Sequence, residues 1–131
     1  RHMTQPRQTV KAGAAPRALG PYSQAVRVGD TVYLSGQLGF DPRAMELVAG
    51  GVEPEARRVF ENIKAVVAAA GGSLAHICKV TIFLVDINDF PKVNEIMAQY
   101  FSEPYPARST FAVAALPRNA RVEVECVLSL A

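Results

Sequence analysis

Strand-like alternation near the end of the chain constrains the fold more than any other feature. Between Arg121 and Leu128 the residues Val122, Val124, Cys126 and Leu128 share one face, and Arg121, Glu123 and Glu125 share the other. A period of two over eight residues fits a strand with one side on a core, and its charged side needs water, a partner or a ligand. Just upstream, Pro106-Ala107-Arg108-Ser109-Thr110 leads into the apolar run Phe111 to Leu116, which reads as a second piece of sheet core. Arginine offers a planar fork of donors that matches a carboxylate, and a nearby glutamate can accept a proton or orient a water. The pair points to a small site for an amphoteric acid.

The rest of the chain supplies the layers around such a sheet. Thr9 to Lys11 reads as a short first strand. Ala25 to Val28 and Thr31 to Ser35 flank Gly29-Asp30, a glycine-first loop that suits a type II′ hairpin turn. Gln37 to Gly51 reads as a long loop or a ragged hairpin arm. Ala56, Val59, Phe60, Ile63, Val66, Val67 and Ala70 recur at helical spacing after Pro54 and before Gly71-Gly72, with Arg57, Arg58, Glu61 and Lys64 as the wet face. Ile77 to Asp86 is a strand too apolar on both faces to be exposed, with His76 at its start as a surface residue and Cys78 as a core residue. Phe90 to Phe101 forms a second helix, capped by Asp89, with Val93, Ile96, Met97, Tyr100 and Phe101 as its buried stripe. Strands Ala107 to Val113 and Arg121 to Leu128 close an α+β domain with a mixed sheet and two helices packed on one face. Apolar residues on the uncovered face need a partner, and self-association is the simplest one.

At 131 residues the chain fits one domain. Arg1-His2 ahead of Met3 reads as a scar left by expression, which leaves residues 3–131 as the single domain. The formal charge is +2, from 14 basic and 12 acidic side chains, or +1 without Arg1; with no basic run, this argues against nucleic acid as the main partner. No stretch approaches the ~18 apolar residues of a membrane helix. Two cysteines and two histidines make neither a disulfide scaffold nor a zinc site. A reducing compartment follows, the cytoplasm, with organelle import left open by Arg7 and Arg17 in a segment poor in acids. A phosphate loop, a nucleophile elbow and a metal-ligand cluster are all missing from the sequence.

Five motifs carry a resemblance that covers nearly everything after the first dozen residues. Gly20-Pro21-Tyr22-Ser23-Gln24-Ala25, Leu34-Ser35-Gly36-Gln37, the helix beginning near Glu53, Asp86-Ile87-Asn88-Asp89-Phe90-Pro91-Lys92-Val93-Asn94, and the C-terminal set Pro106 to Thr110, Leu116-Pro117-Arg118 and Val122 to Glu125 resemble the RidA/YjgF family of imine deaminases in order and spacing. The resemblance implies a chorismate-mutase-like fold, a homotrimer whose sheets face a central barrel, and one active site in each cleft between subunits. It implies hydrolysis of 2-imino acids to 2-keto acids and ammonia, without cofactor or metal. An RNA-directed role and a non-catalytic trimer that binds small acids or acts as a chaperone are the alternatives, since some relatives are described as ribonucleases.

By the same resemblance Arg108 anchors the substrate carboxylate, and the backbone N–H of Thr110 adds a second contact. Without it, Arg108 reads equally well as half of a structural salt bridge at a subunit contact. Thr110 has no thiol, which excludes a cysteine nucleophile at that position. Glu123 aligns with the family's catalytic glutamate, whereas Glu125 keeps the reading of solvated surface. Tyr22 matches a tyrosine that reaches the substrate, Ser35 and Asn94 match positions lining the site, and Gly36 permits close backbone approach.

Overall fold

The alternating segment forms a strand inside the sheet. The computed structural model describes residues 6–131, so Arg1-His2, read above as a scar, and Met3 lie outside the described residues. In chain order the elements are β1 (Gln8–Val10), β2 (Ala25–Val28), β3 (Thr31–Gln37), α1 (Val52–Ala69), β4 (Ile77–Leu84), α2 (Phe90–Tyr100), β5 (Ala107–Ala112) and β6 (Val122–Ser129). They make one six-stranded sheet in the order β1-β2-β3-β6-β4-β5, with all neighbours antiparallel except β4 and β5. β6 therefore has a partner on each side, and its Val122, Val124, Cys126 and Leu128 are all buried.

Those four side chains meet Val80, Ile82 and Leu84 of β4 and the apolar stripes of both helices in one core on one face of the sheet. Val59, Phe60, Ile63, Val66 and Val67 of α1 are fully buried, and Phe60 stacks on Tyr100 at 5.4 Å and meets Phe101 edge-on at 6.0 Å. Gly71, just past the helix, takes φ +90°, the left-handed conformation that ends a helix at least cost in glycine. Gly29 at φ +60° opens the β2–β3 hairpin as a type II′ turn requires. The long connection after β3 is a ragged arm that folds back on itself at an isolated bridge between Phe40 and Leu47.

Several expectations from the sequence need correction. β5 is an edge strand, not sheet core: only β4 pairs with it, and Phe111 stays 45% exposed. The apolar run beyond Ala112 keeps one bond to the sheet, from the Val113 N–H to the Leu84 carbonyl, and then departs from it. Cys78 is exposed because the β4–β6 register shifts between Ile77 and Lys79, which breaks the alternation there. Asp89 precedes α2 without a side-chain cap; Asp86 instead accepts from the Asn88 N–H and caps the short 3₁₀ turn ahead of it. Two polar residues of α1, Glu55 and Asn62, are buried, where the pattern showed only the apolar stripe.

The uncovered face carries Val28, Tyr33, Phe83 and Phe111, the last two in edge-to-face contact at 5.3 Å. Replacing Phe60 by alanine is expected to cost about 3–5 kcal/mol through lost burial and the cavity left behind. Lys64→Ala on the exposed face of the same helix should stay within about 0.5 kcal/mol. Denaturant unfolding of both variants measures the contrast.

Candidate active site

Glu123 lies one residue along β6 from core side chains, so the pleat that buries Val122 and Val124 turns its carboxylate to the other face. A bulge in β3 prepares the floor beneath it. Leu34 pairs with Cys126 and Gln37 with Val124, so Ser35 and Gly36 together oppose the single residue Glu125. A side chain at position 36 would put its Cβ 2.9 Å from the Glu123 carboxyl carbon, so only glycine leaves the space the carboxylate occupies.

Half-buried, the Glu123 carboxylate has no hydrogen bond or ion pair to the described residues. Burial pushes its pKa above the ordinary 4.5, and the like charge of Glu125 pushes the same way. A carboxylate of this kind, unpaired and facing a cavity, is placed to take up a proton.

That cavity, of about 440 Å³, is lined by Tyr22, Ser35, Gly36 and Glu123 together. Its walls are tied down by backbone hydrogen bonds from buried amides. Gln24 donates to the Ala12 and Pro16 carbonyls at 3.1 and 2.7 Å and accepts from the Ala12 N–H at 2.7 Å. The Ser35 hydroxyl donates to the Ser23 carbonyl at 2.6 Å, and its N–H to the Gln24 carbonyl at 3.0 Å. On the far side Asn62, fully buried in α1, donates to the carbonyls of Leu38 and Phe40 at 3.2 and 3.0 Å. Tyr22 itself is 52% exposed, and its hydroxyl accepts from the Leu19 N–H at 3.4 Å.

Arg108, Thr110 and Asn94 form a second group. Arg108 pairs in register with buried Val80, so it lies on the helix side of β5, and its guanidinium donates to Asn94 Oδ1 at 2.6 Å. The same guanidinium sits 5.1 Å from the Phe90 ring centroid, a cation–π contact that fixes its plane. Among the described residues no carboxylate comes within salt-bridge distance of it. The Val113 N–H donates to the Leu84 carbonyl, and in a parallel ladder alternate residues point the same way. The N–H groups of Arg108 and Thr110 therefore face the free edge of β5. The Thr110 hydroxyl is buried without a hydrogen-bond partner.

One chain does not bring the two groups together. β4 separates β5 from β6, and Arg108 and Glu123 project from opposite faces of the sheet. Arg108 and Asn94 line a cavity of their own, about 430 Å³. Among the described residues there is no cluster of metal-ligating side chains, and no helix is long and apolar enough to cross a membrane.

Sequence reasoning missed Gln24, Asn62, Phe40 and Arg118, all of which shape the Glu123 cavity or its walls. Gln24 and Arg118 stood inside quoted motifs, which was the available signal; Asn62 gave none, because an amide on a helix reads as surface.

The family model described as Endoribonuclease L-PSP matches residues 12–129. A crystal structure of RidA from the Antarctic bacterium Psychrobacter sp. PAMC 21119 is 53% identical, covers 93% of this chain and 98% of its own, and superposes with a TM-score of 0.90. The chain belongs to the RidA/YjgF family. A relative from Dermatophagoides farinae named 2-iminobutanoate/2-iminopropanoate deaminase is 50% identical over 123 residues, 94% of this chain and 96% of its own. The crystal structure of E. coli TdcF with bound serine is 40% identical, with a TM-score of 0.90 over 95% of this chain and 99% of its own.

Gly36→Ala is the direct test of the family's close approach at this glycine. It is expected to displace the Glu123 carboxylate, whereas Gly13→Ala, with open space around it, should leave the protein as it is. A crystal structure or the NMR titration of the Glu123 carboxyl in the two variants measures the difference.

Proposed function

We propose that this chain hydrolyses reactive 2-imino acids, the tautomers of enamines such as 2-aminoacrylate, to 2-keto acids and ammonia. The observation that carries the reading is the division of labour between two incomplete half-sites. Arg108 is a fixed guanidinium without a carboxylate partner at a free sheet edge, and Glu123 is an unpaired carboxylate over a cavity on the other face. A zwitterion-like substrate needs both, and a neighbouring copy is the simplest source of the missing half. We therefore place the site between subunits of a homotrimer, with the uncovered face of Tyr33, Phe83 and Phe111 turned toward the other copies. Deaminase names among relatives at about half identity support the reaction class.

In this reading Arg108 holds the substrate carboxylate bidentately, helped by the Thr110 N–H, with Asn94 fixing the guanidinium. Tyr22 and Ser35 hydrogen-bond the substrate and Gly36 gives it room. Glu123 takes one proton of a water as its oxygen bonds to the iminium carbon, and the C=N π electrons pass to nitrogen to give a carbinolamine. It then returns that proton to nitrogen, and as the C–N bond breaks the hydroxyl oxygen forms the C=O of the keto acid and its proton leaves with ammonia as ammonium. An iminium carbon is already electrophilic, so charge and hydrogen bonds suffice. The partners are thus small imino and keto acids. A cytoplasmic setting suits the two free cysteines, Cys78 and Cys126.

The experiment adds the protein to a reaction that releases 2-aminoacrylate and follows keto acid and ammonia above the uncatalysed rate. Arg108→Lys is expected to lose on the order of 10²-fold in kcat/KM, because a point charge cannot reproduce the fork. Glu123→Gln should lower kcat by about 10²- to 10⁴-fold, and Glu125→Gln should change little at neutral pH. Full activity in Glu123→Gln would overturn its role as the base. Cleavage of RNA with no imine hydrolysis would favour the endoribonuclease activity in the family model's description. Sedimentation showing a monomer at micromolar concentration would overturn the intersubunit site.

The pH profile gives an independent check. Glu123 must be ionised to act as a base, so kcat falls as pH drops through its pKa, and burial sets that limb above the ordinary carboxylate range. Glu125→Gln removes a like charge, which lowers the Glu123 pKa and shifts the acid limb to lower pH.

A further inference from the structure

The Glu123 cavity contains more positive charge than hydrolysis of an imino acid with a small apolar side chain requires. Arg118 and Arg17 both line it, and Glu123 is the single carboxylate among its lining residues. Neither arginine has an ion-pair partner among the described residues. Arg118 is also built into place. It adopts φ 59°, ψ 24°, followed by Asn119 at φ 58°, two successive left-handed residues without a glycine. Strain of this kind persists where the surroundings hold it, and it concentrates at functional sites.

Its side chain lies against Phe40, whose ring centroid is 5.9 Å from the guanidinium carbon. Phe40 is buried, and its carbonyl accepts from Asn62 in α1, so the platform belongs to the core. A guanidinium that rests its face on a ring keeps its N–H edge for an anion. Arg17 adds a second positive charge from the loop before β2.

We infer that Arg118 is a specificity-determining residue that admits 2-imino acids with a second carboxylate on the side chain, the imino forms of acidic amino acids. The inference rests on the deaminase reading above and names its substrate class. With the α-carboxylate at Arg108 of one copy and the imine carbon at Glu123 of another, the side chain enters the Glu123 cavity. A four- or five-carbon dicarboxylate then sets its far carboxylate against Arg118, with Arg17 contributing at longer range.

The test compares two imines generated in situ by amino-acid oxidases, one from alanine and one from aspartate or glutamate, with the intact wild-type protein and its variants. Wild type is expected to hydrolyse the acidic imine with kcat/KM at least equal to that for the neutral one. Arg118→Gln should lower the acidic-to-neutral ratio about tenfold, mainly through KM, and Arg118→Glu should lower it by about a hundredfold. Raising the salt should shrink the wild-type ratio, because the arginine is exposed and its attraction is screened. Both variants keep a side chain of similar backbone preference at an exposed position, and oligomer content is measured for each. A ratio unchanged within twofold in both variants, while the neutral imine is still hydrolysed, overturns the inference alone. Wild type that hydrolyses neither imine overturns the deaminase reading and this inference together.

Discussion

The two-faced packing of β6 is the constraint on which the rest of the structure depends. Four of its side chains are sealed under α1 and α2 against β4, and burial of each contributes roughly 1.5–3 kcal/mol for a large aliphatic group. That register cannot slip by one residue without turning the core outward. The side chain of Glu123 is therefore committed to the opposite face at a fixed depth, half-shielded from water, with a pKa raised by the packing that places it. The chemistry of the site is a by-product of the core's alternation.

The cavity in front of Glu123 is built by polar groups that the core leaves over. Gln24 and Asn62 spend their amides on backbone carbonyls of irregular segments, which would otherwise be buried without partners. Loops held this way act as rigid walls, and the bulge at Ser35 and Gly36 supplies a floor where an added Cβ would displace the Glu123 carboxylate. Arg118 on Phe40 extends the same device, since its platform is fixed through Asn62 to the central helix.

The placement of β5 keeps Arg108 and Glu123 apart within one chain. An edge strand leaves half its N–H and C=O groups without a sheet partner, and such an edge invites a neighbour unless it is used otherwise. Here the free edge carries Arg108 and Thr110 with outward N–H groups, while α2 fixes the guanidinium through Asn94 and Phe90. Arg108 and Glu123 thus belong to separate surfaces of the chain.

Element types and their order were legible in the sequence, because amphipathic period is a local property: the stripe of α1, the alternation of β6 and the Gly29-Asp30 turn each follow from near neighbours along the chain. The candidate residues were legible as motifs too. Strand order was not, since it depends on contacts far apart in sequence, and so β5 read as core when it is the edge. Nor was the burial of Asn62 and Glu55, or the exposure of Cys78, because these follow from the loop carried over α1 and from a register shift. That Arg108 and Glu123 lie on opposite faces was decided by tertiary structure, through the register that sets Arg108 beside buried Val80 and Glu123 beside Phe83 on the uncovered face.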